Sequence, residues 1–336
     1  SQEFEYTELP ETRIKTLKII QEQPDIYFAQ KMEVPHGTWF YTDNNPQRFY
    51  YYNFYESIGR KLKSKETIKE YENGVASVST STTFSYSNVN HLQVTNTQTT
   101  NSKGELLKTI TTYPQDVSLG NLTPAEQILI NQNRVATPLQ KETYINSNLL
   151  LQTQRTNYKD WGNNIVLPKD IETLKGEYNS ETNKPSGRIV YHDYDNKGNP
   201  SEVSKAGGTH IYYIWGYNQQ YPIAKIENLK SVDITVQQQA LIDDIILKSD
   251  LDNDRTIDSS GNEGALRLAL ANLRDNLQNS QMTSYTYDPL IGVTSITDPR
   301  GETIYYHYDD FNRLEYVKDA DGNILSKNEY HYKNQQ

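Results

Sequence analysis

A repeat near the C-terminal end constrains the fold of this chain more than any other feature. Two copies of it align at four positions, which are Tyr287 with Tyr308, Asp288 with Asp309, Asp298 with Asp319 and Gly301 with Gly322. Repeats at a fixed short period indicate one supersecondary unit that stacks on its neighbours. The aromatic and β-branched residues in each copy favour extended chain. We therefore predict that each copy is a β-hairpin.

The residues between the strands of a copy are those that tight turns need. Asp309 is able to accept a hydrogen bond from the backbone two residues later, and Asn312 tolerates the left-handed conformation. Gly322 in the second turn is free to adopt positive φ. Tyr308 is predicted to end one strand, Leu314 to Lys318 to form the next, and Ile324 to Tyr332 to form a third.

Weaker copies of the repeat occur upstream. Tyr194-Asp195 is followed at the same spacings by Gly198 and Gly208, whereas after Tyr287-Asp288 the first glycine comes one residue late, at Gly292. Tyr158 and Tyr86 keep only the first spacing. Degenerate units therefore extend back to about residue 80.

This pattern resembles the YD repeat of the Rhs family, which runs Tyr-Asp, two variable residues, Gly-Arg-Leu, then a second Asp and Gly. The closest copy is YDDFNRL, where Asn312 replaces the glycine and Arg313 keeps the arginine. The resemblance implies a curved antiparallel sheet, open or incomplete as a shell, exported to the cell surface or beyond. The closest similarity is to exported surface proteins of bacteria that use type IX secretion.

Four regions follow from these patterns. They are an aromatic, β-rich N-terminal region (1–75), degenerate YD-repeat hairpins (76–227), a helical insertion (228–282) and C-terminal YD repeats (283–336). In the first region, Thr12 to Gln23 fits either a strand or a short helix, and we favour the strand. Turns at Asn73-Gly74 and around Asn88 and Gly104 predict long hairpins.

Helices are predicted in two places. Thr123, Pro124 and Glu126 combine an N-cap, a proline at the first helical position and a capping-box acid, so a short helix should reach about Asn133. In the insertion, two helices form a hairpin near 232–278. The predicted apolar stripes are Val236, Ala240, Leu241, Ile245 and Leu247 on the first helix, and Leu266, Leu270, Leu273 and Leu277 on the second.

Composition narrows the function classes. The net charge is −10 and no basic run is long, so nucleic acid is not expected as a partner. The absence of cysteine excludes disulfides and thiolate chemistry, and no apolar run is long enough for a transmembrane helix. The six histidines follow no zinc-type spacing and no catalytic motif is present, so we predict neither a catalytic residue nor a cofactor.

The acidic loop from Asp252 to Glu263 partly matches the spacing of a calcium-binding loop. With Asp252 as the first ligand, Asp254, Asp258 and Glu263 fall at calcium-loop offsets, but Ile257 stands where the sharp turn needs glycine. The loop is either a calcium site or a solvated acidic loop.

Three functions are compatible with the sequence. The first is a non-catalytic structural module that binds or encloses a protein partner at the cell surface. The second is a carbohydrate-binding adhesin that uses the aromatic rings of Trp39 to Tyr55 or of Trp215 to Tyr217, although such rings also fill strand interiors. We predict that Tyr213, Trp215 and Tyr217 share one strand face. The third is a toxin-encapsulating shell fragment whose toxin is supplied elsewhere.

Overall fold

The computed structural model describes residues 1–10, 12–22, 48–101, 103–146, 149–177, 183–255 and 260–331. The chain divides into two compact units. We call Ser1–Ser87 with Val94–Lys108 the N-terminal unit, and Asn88–Gln93 with Thr109–Gln336 the C-terminal unit.

The N-terminal unit consists of long strands. They are β1 (Gln2–Glu8), β2 (Thr12–Glu22), β3 (Arg48–Ile58), β4 (Lys61–Glu72), β5 (Val75–Ser85), β6 (Asn96–Thr100) and the first residues of β7 (Leu106–Thr112). The strand interpretation of Thr12 to Gln23 is therefore correct. Between β4 and β5, Asn73 and Gly74 both have positive φ, as a two-residue hairpin turn requires.

The C-terminal unit continues as short antiparallel hairpins. Its further strands are β8 (Gln140–Ile145), β9 (Leu149–Asp160), β10 (Val166–Lys175), β11 (Ser186–Tyr194), β12 (Pro200–Lys205), β13 (His210–Gly216), β14 (Tyr221–Glu227), β15 (Gln281–Asp288), β16 (Gly292–Thr297), β17 (Thr303–Tyr308), β18 (Leu314–Lys318) and β19 (Ile324–Lys327). From β8 to β19 each strand pairs with the next. The last strand ends at Lys327, so it is shorter than the predicted strand from Ile324 to Tyr332.

Within the described residues, seventeen strands form one antiparallel sheet that is not closed, and β2 and β3 pair separately. The predicted mainly β fold of hairpins is confirmed. The three α-helices of this part of the chain are α1 (Pro124–Asn131), α2 (Val236–Leu251) and α3 (Gly261–Asp275).

Helix α1 begins where its capping residues predict. The Glu126 backbone N–H donates to Thr123 Oγ1 at 3.2 Å, and the Thr123 N–H donates to the Glu126 carboxylate at 2.8 Å. These bonds satisfy donors that a helix start leaves free. Leu129 lies fully buried beneath the helix, beside Leu139 and Val166.

The main core lies between the helical hairpin and the sheet of the C-terminal unit. Its centre is formed by side chains with almost no exposure, which are Ile223, Ile226, Ile245, Leu266, Leu270, Leu273 and Met282. Of the predicted leucine stripe, Leu266, Leu270 and Leu273 are thus the buried face of α3, whereas Leu277 is buried just beyond the end of the helix. The insertion is part of the core and buries one face of β13, β14 and β15.

The predicted stripe of α2 is only partly correct. Ile245 is buried, but Val236 and Leu247 are exposed, and the buried face instead carries Ile242 and Ser249. The reason is the close approach of α2 to β13. A side chain at Gly216 would collide with Ser249, so only small residues fit on both sides of this contact.

Candidate interaction surface

The repeat residues build one turn that recurs five times. In each copy, Oδ1 of an Asp or Asn accepts from the backbone N–H four residues later, and the fourth residue of the turn has positive φ. The five turns begin at Asn101, Asp195, Asp298, Asp309 and Asp319, and their left-handed residues are Gly104, Gly198, Gly301, Asn312 and Gly322. The side-chain oxygen of the Asp or Asn therefore shapes the hairpin by acting as an acceptor in place of a backbone carbonyl.

Electrostatics strengthen these turns. Arg313 donates from Nη2 to Asp309 Oδ2 at 2.6 Å, and this bond, with backbone N–H donors, lowers the pKa of Asp309. Backbone N–H groups likewise lower the pKa of Asp298, and the amide of Asn323 together with backbone N–H groups lowers that of Asp319. All three turns are thus held by charge-assisted hydrogen bonds.

Two predicted repeat residues differ in role from their counterparts. Gly208 is not left-handed, because Gly207 takes that conformation one residue earlier. After Tyr287-Asp288 the left-handed residue is Leu290, while Gly292 is the first residue of β16. A Cβ at Gly292 would overlap the Tyr308 ring, so this glycine permits a close approach. The extra residue before it displaces the turn from the repeat pattern.

The repeat tyrosines form a row of hydrogen bonds to backbone carbonyls. Tyr194 donates to the carbonyl of Pro168, Tyr287 to Pro222 and Tyr308 to Val293, at 2.9–3.0 Å. Trp215 takes the same part with its indole N–H, which donates to Pro200. We call these four side chains the aromatic row.

A β-bulge precedes every member of the aromatic row. The strand register shifts between Asp193 and Tyr194, Ile214 and Trp215, Thr286 and Tyr287, and His307 and Tyr308. Each bulge lies in the ladder with the following strand, whereas the carbonyl that accepts from the ring lies on the preceding strand, so each ring connects the two sides of its own strand. Burial raises the pKa of Tyr287 to about 12, so the hydroxyl stays protonated and donates at neutral pH.

Tyr217 does not share a face with Tyr213 and Trp215, which corrects the prediction. Tyr217 lies just after the end of β13, and its left-handed backbone turns its ring into the core. Its hydroxyl donates to Asp252 at 2.7 Å and accepts from the Tyr287 N–H at 2.8 Å. This ring fixes the helical hairpin to the sheet and is not available to a glycan.

Three carboxylates in the described part of the acidic loop lie close together, as the calcium-loop spacing predicts. Carboxylate oxygens of Asp252, Asp254 and Glu263 lie within 4.8 Å of one another, but residues 256–259 lie outside the described residues. Protein groups already bind these carboxylates, since Glu263 accepts from Thr286 at 2.8 Å and from Arg267 at 2.5 Å. Burial raises the pKa of Asp252 and of Glu263. Whether the loop binds calcium stays a prediction.

The N-terminal unit exposes an apolar sheet face. The registers of β1, β4 and β5 place Phe4, Ile68 and Val78 on the same side, and Tyr6 lies 6.5 Å from Phe4. These four side chains, which we call the apolar face, are each about 45–55% exposed. Lys63 lies over the Phe4 ring and the neighbouring Phe84 ring. Of the residues with a described burial in this unit, only Thr95 is buried.

The opposite face of the same strands is polar and charge-balanced. Glu3 pairs with Lys69 at 2.8 Å and Glu5 with Lys65 at 2.9 Å. Glu8, which pairs with Lys61 at 2.6 Å, and Glu66, which pairs with Lys63 at 2.9 Å, lie on the side of Phe4 and Tyr6 and border the apolar face. In the described residues β1 has β4 as its registered partner and is exposed along its whole length. One side of β1 therefore presents backbone donors and acceptors beside an apolar face.

The second aromatic stretch, Trp39 to Tyr55, is described only in part. Trp39 lies outside the described residues, and Tyr55 is exposed in β3. Glycan binding through these rings stays a prediction. No helix in the described ranges is long and apolar enough to cross a membrane.

The chain matches no protein-family model and no curated protein. It is similar to a crystal structure of TcdB2-TccC3 without its hypervariable C-terminal region, at 10% identity and a TM-score of 0.32, over 78% of this chain and 14% of that chain. Similar values hold for TcdB2-TccC3-TEV (12%, 0.31, 78% and 16%). For the Photorhabdus luminescens Tc holotoxin pore they are 11%, 0.16, 81% and 17%.

These similarities are low, and the chain spans only 14–17% of the length of those chains. They assign neither an activity nor a partner to this chain, and the secretion route stays a prediction.

Proposed function

We propose that this chain is a non-catalytic structural and interaction module that acts at the bacterial cell surface or outside the cell. In this proposal the N-terminal unit binds an extended segment of a protein partner, which adds as a strand to β1. The proposal rests on the exposure of the apolar face, which lies next to β1. In the described residues, β1 has a residue-by-residue strand pairing with β4 alone.

The side chains of β1 favour the addition of a partner strand rather than its repulsion. Exposed strand edges are normally protected by unpaired charges, prolines or bulges that turn the edge away. Here Glu3, Glu5 and Glu8 are already paired with lysines of β4, and β1 contains no proline. An added strand would gain backbone hydrogen bonds, and its alternate side chains would lie beside Phe4 and Tyr6.

The expected partner segment is apolar on one face and uncharged or weakly charged on the other. Covering the apolar face would remove aromatic and aliphatic surface from water, which contributes roughly 25 cal/mol for each Å² buried. Within the C-terminal unit, the hairpins are held by the aromatic row and by the core under the helical insertion.

The test combines capture with a location-specific readout. A photo-crosslinking amino acid at Tyr6 would be used in tagged protein incubated with the envelope and secreted fraction of the native host, followed by mass spectrometry. We expect one dominant crosslinked partner, joined through a single extended segment. Hydrogen exchange of the isolated complex should show new protection of β1 amides.

Matched variants distinguish specific binding at the apolar face from non-specific binding. Combining Ile68→Ser with Val78→Ser removes apolar area from the apolar face and should abolish the crosslink. Combining Thr67→Ala with Ser81→Ala alters the polar face, where the two hydroxyls bond each other at 2.9 Å, and should leave the crosslink unchanged. Recovery of the chain alone, or a crosslink insensitive to Ile68 and Val78, would overturn the proposal.

A further inference from the structure

Two histidines and one glutamate from three neighbouring strands meet in the C-terminal unit. They are His192 on β11, Glu202 on β12 and His210 on β13, and one potential ligand atom from each lies within 4.8 Å of the others. The two imidazole rings are stacked with centroids 4.3 Å apart. Glu202 is buried, His210 is half-buried and His192 is exposed.

The strand register creates this cluster, which is why no short sequence spacing reveals it. Ser204 pairs with His210 in the β12–β13 ladder, and the β11–β12 register shifts between Tyr191 and Asp193. The shift occurs at His192, and it places that ring next to His210. All three side chains therefore project from rigid, paired strands rather than from a loop.

Surrounding groups hold the three side chains in orientation. Ser231 donates to Glu202 Oε2 from its backbone N–H at 2.9 Å and from its hydroxyl at 2.6 Å. The other oxygen, Oε1, lies 2.5 Å from His210 Nδ1, and His192 Nε2 lies 2.9 Å from the buried Ser204 hydroxyl. The bonds with Ser231 and Ser204 come from outside the three side chains, as the bonds that orient metal ligands in proteins do, whereas the Glu202–His210 contact joins two of the three and would be replaced by bonds to the metal.

We propose that His192, Glu202 and His210 bind one divalent first-row transition metal ion, with Zn²⁺ as the expected ion. Two imidazoles and a carboxylate are a donor set that Zn²⁺ accepts with a fourth position left for water. Bonds of about 2.0–2.2 Å place tetrahedral ligand atoms roughly 3.3 Å apart, which lies between the 2.5 Å of the Glu202–His210 contact and the 4.8 Å within which all three ligand atoms lie. The ion would join β11, β12 and β13, and Ser231 would couple it to the segment that leads into α2.

An ordinary histidine–carboxylate contact elsewhere in the chain shows the contrast. His307 lies 3.3 Å from Glu315 and stacks on Tyr316, but both charged side chains are about 40–45% exposed and no second histidine is beside them. That pair is not grouped with a third ligand among the described residues. It is the matched control for the proposed site.

The test uses tag-free protein and measures Zn²⁺ directly. Equilibrium dialysis with metal analysis should give one Zn²⁺ per chain, and the thermal unfolding midpoint should rise with Zn²⁺ concentration, because only the folded chain holds the site. His192→Ala and His210→Ala should each weaken binding by more than about 100-fold, whereas His307→Ala should change neither stoichiometry nor affinity.

Folding of each variant is checked by circular dichroism without metal. If an alanine variant fails to fold, His192→Gln and His210→Asn replace it, and wild-type protein is followed by imidazole ¹H–¹⁵N spectra during Zn²⁺ titration. Shifts confined to two of the six histidines support the site. Sub-stoichiometric binding, equal binding by the His192 and His210 variants, or shifts spread over all histidines would mean an adventitious ion only and would overturn the proposal.

Discussion

The two units use the same strand chemistry but differ in what their strands cover. In the C-terminal unit, β14 buries Ile226 completely beneath the helical hairpin, whereas in the N-terminal unit β4 leaves Ile68 almost half exposed. Both are isoleucines in central positions of paired strands. The difference teaches that the hairpin repeat supplies backbone pairing but not a core. A core forms where the chain also supplies helices to cover one face.

The largest expected effect tests this difference directly. Ile226→Ala should lower the free energy of unfolding by about 2–5 kcal/mol, since it leaves a cavity in a packed core. Ile68→Ala should change it by less than about 0.5 kcal/mol, because the site is already exposed. Urea unfolding followed by circular dichroism measures both. An equally large effect at Ile68 would show that the apolar face is covered in solution, which would remove the contrast between the units.

A smaller effect is expected at the attachment of the helical insertion. Tyr217→Phe removes a hydroxyl that donates to Asp252 and accepts from the Tyr287 N–H, so two buried groups lose their partner. The expected loss is about 1–3 kcal/mol, with faster hydrogen exchange in α2. Tyr285→Phe is the control, because no hydrogen bond of its hydroxyl is found in the described residues. If both variants exchange alike, the attachment depends on ring packing alone.

Turns should behave alike in the two units even though cores do not. Asp195 Oδ1 accepts from the backbone N–H groups of Lys197 and Asn199, and Asn101 Oδ1 accepts from those of Lys103 and Glu105. Asp195→Ala and Asn101→Ala should therefore each cost about 1 kcal/mol in urea unfolding.

The matched exchanges Asp195→Asn and Asn101→Asp keep the Oδ1 acceptor but reverse the second side-chain atom, which accepts from Asn199 in Asp195 and donates to Glu105 in Asn101, so we expect a smaller cost than for the alanine variants. A large cost of Asp195→Ala with none for Asn101→Ala would show that the repeat turn matters only where a core is attached. That result would extend the difference between the units from packing to local structure.

The sequence predicted the local structure well, because turns and caps depend on adjacent residues. The capping box at Thr123 and Glu126, the hairpin turn at Gly74 and the leucine stripe of α3 all depend on short spacings. The bulges before the aromatic row could not be predicted, since a bulge depends on the register with another strand. The inward turn of Tyr217 and the buried Ser249 face of α2 were not predicted either, because both depend on contacts between the helical insertion and the sheet.

The candidate sites were predictable only in part. The repeat residues were found from their spacing, but the partner of each repeat tyrosine is a carbonyl on the preceding strand. The apolar face was not predicted, because alternation shows which residues share a face and not whether anything covers it. His192, Glu202 and His210 meet across three strands, and no pairwise spacing in the chain marks them.

The smallest expected effect is a difference of sign in how the two units respond to pH. Burial raises the pKa of Asp252 above 3.8, although the Tyr217 hydroxyl, the Asp254 N–H and Arg267 oppose it. The folded state therefore binds this proton more readily than the unfolded state, and the associated stability is lost as pH rises through the folded pKa. In the N-terminal unit, the hydrogen bond and charge of Lys69 lower the pKa of Glu3 below 4.5, so that contribution is lost as pH falls.

Other carboxylates titrate in both units, so the readout is the difference between variant and wild type rather than the whole profile. From acidic to neutral pH, Asp252→Asn should become more stable relative to wild type, because it avoids ionising a buried carboxyl group. Glu3→Gln should become slightly less stable relative to wild type over the same range, since its exposed ion pair forms only when the glutamate is charged. Urea unfolding of the three proteins at several pH values measures these differences. Slopes of the same sign would contradict the assignment, because they would mean that the Asp252 carboxylate is stabilised by its partners more than burial opposes its charge.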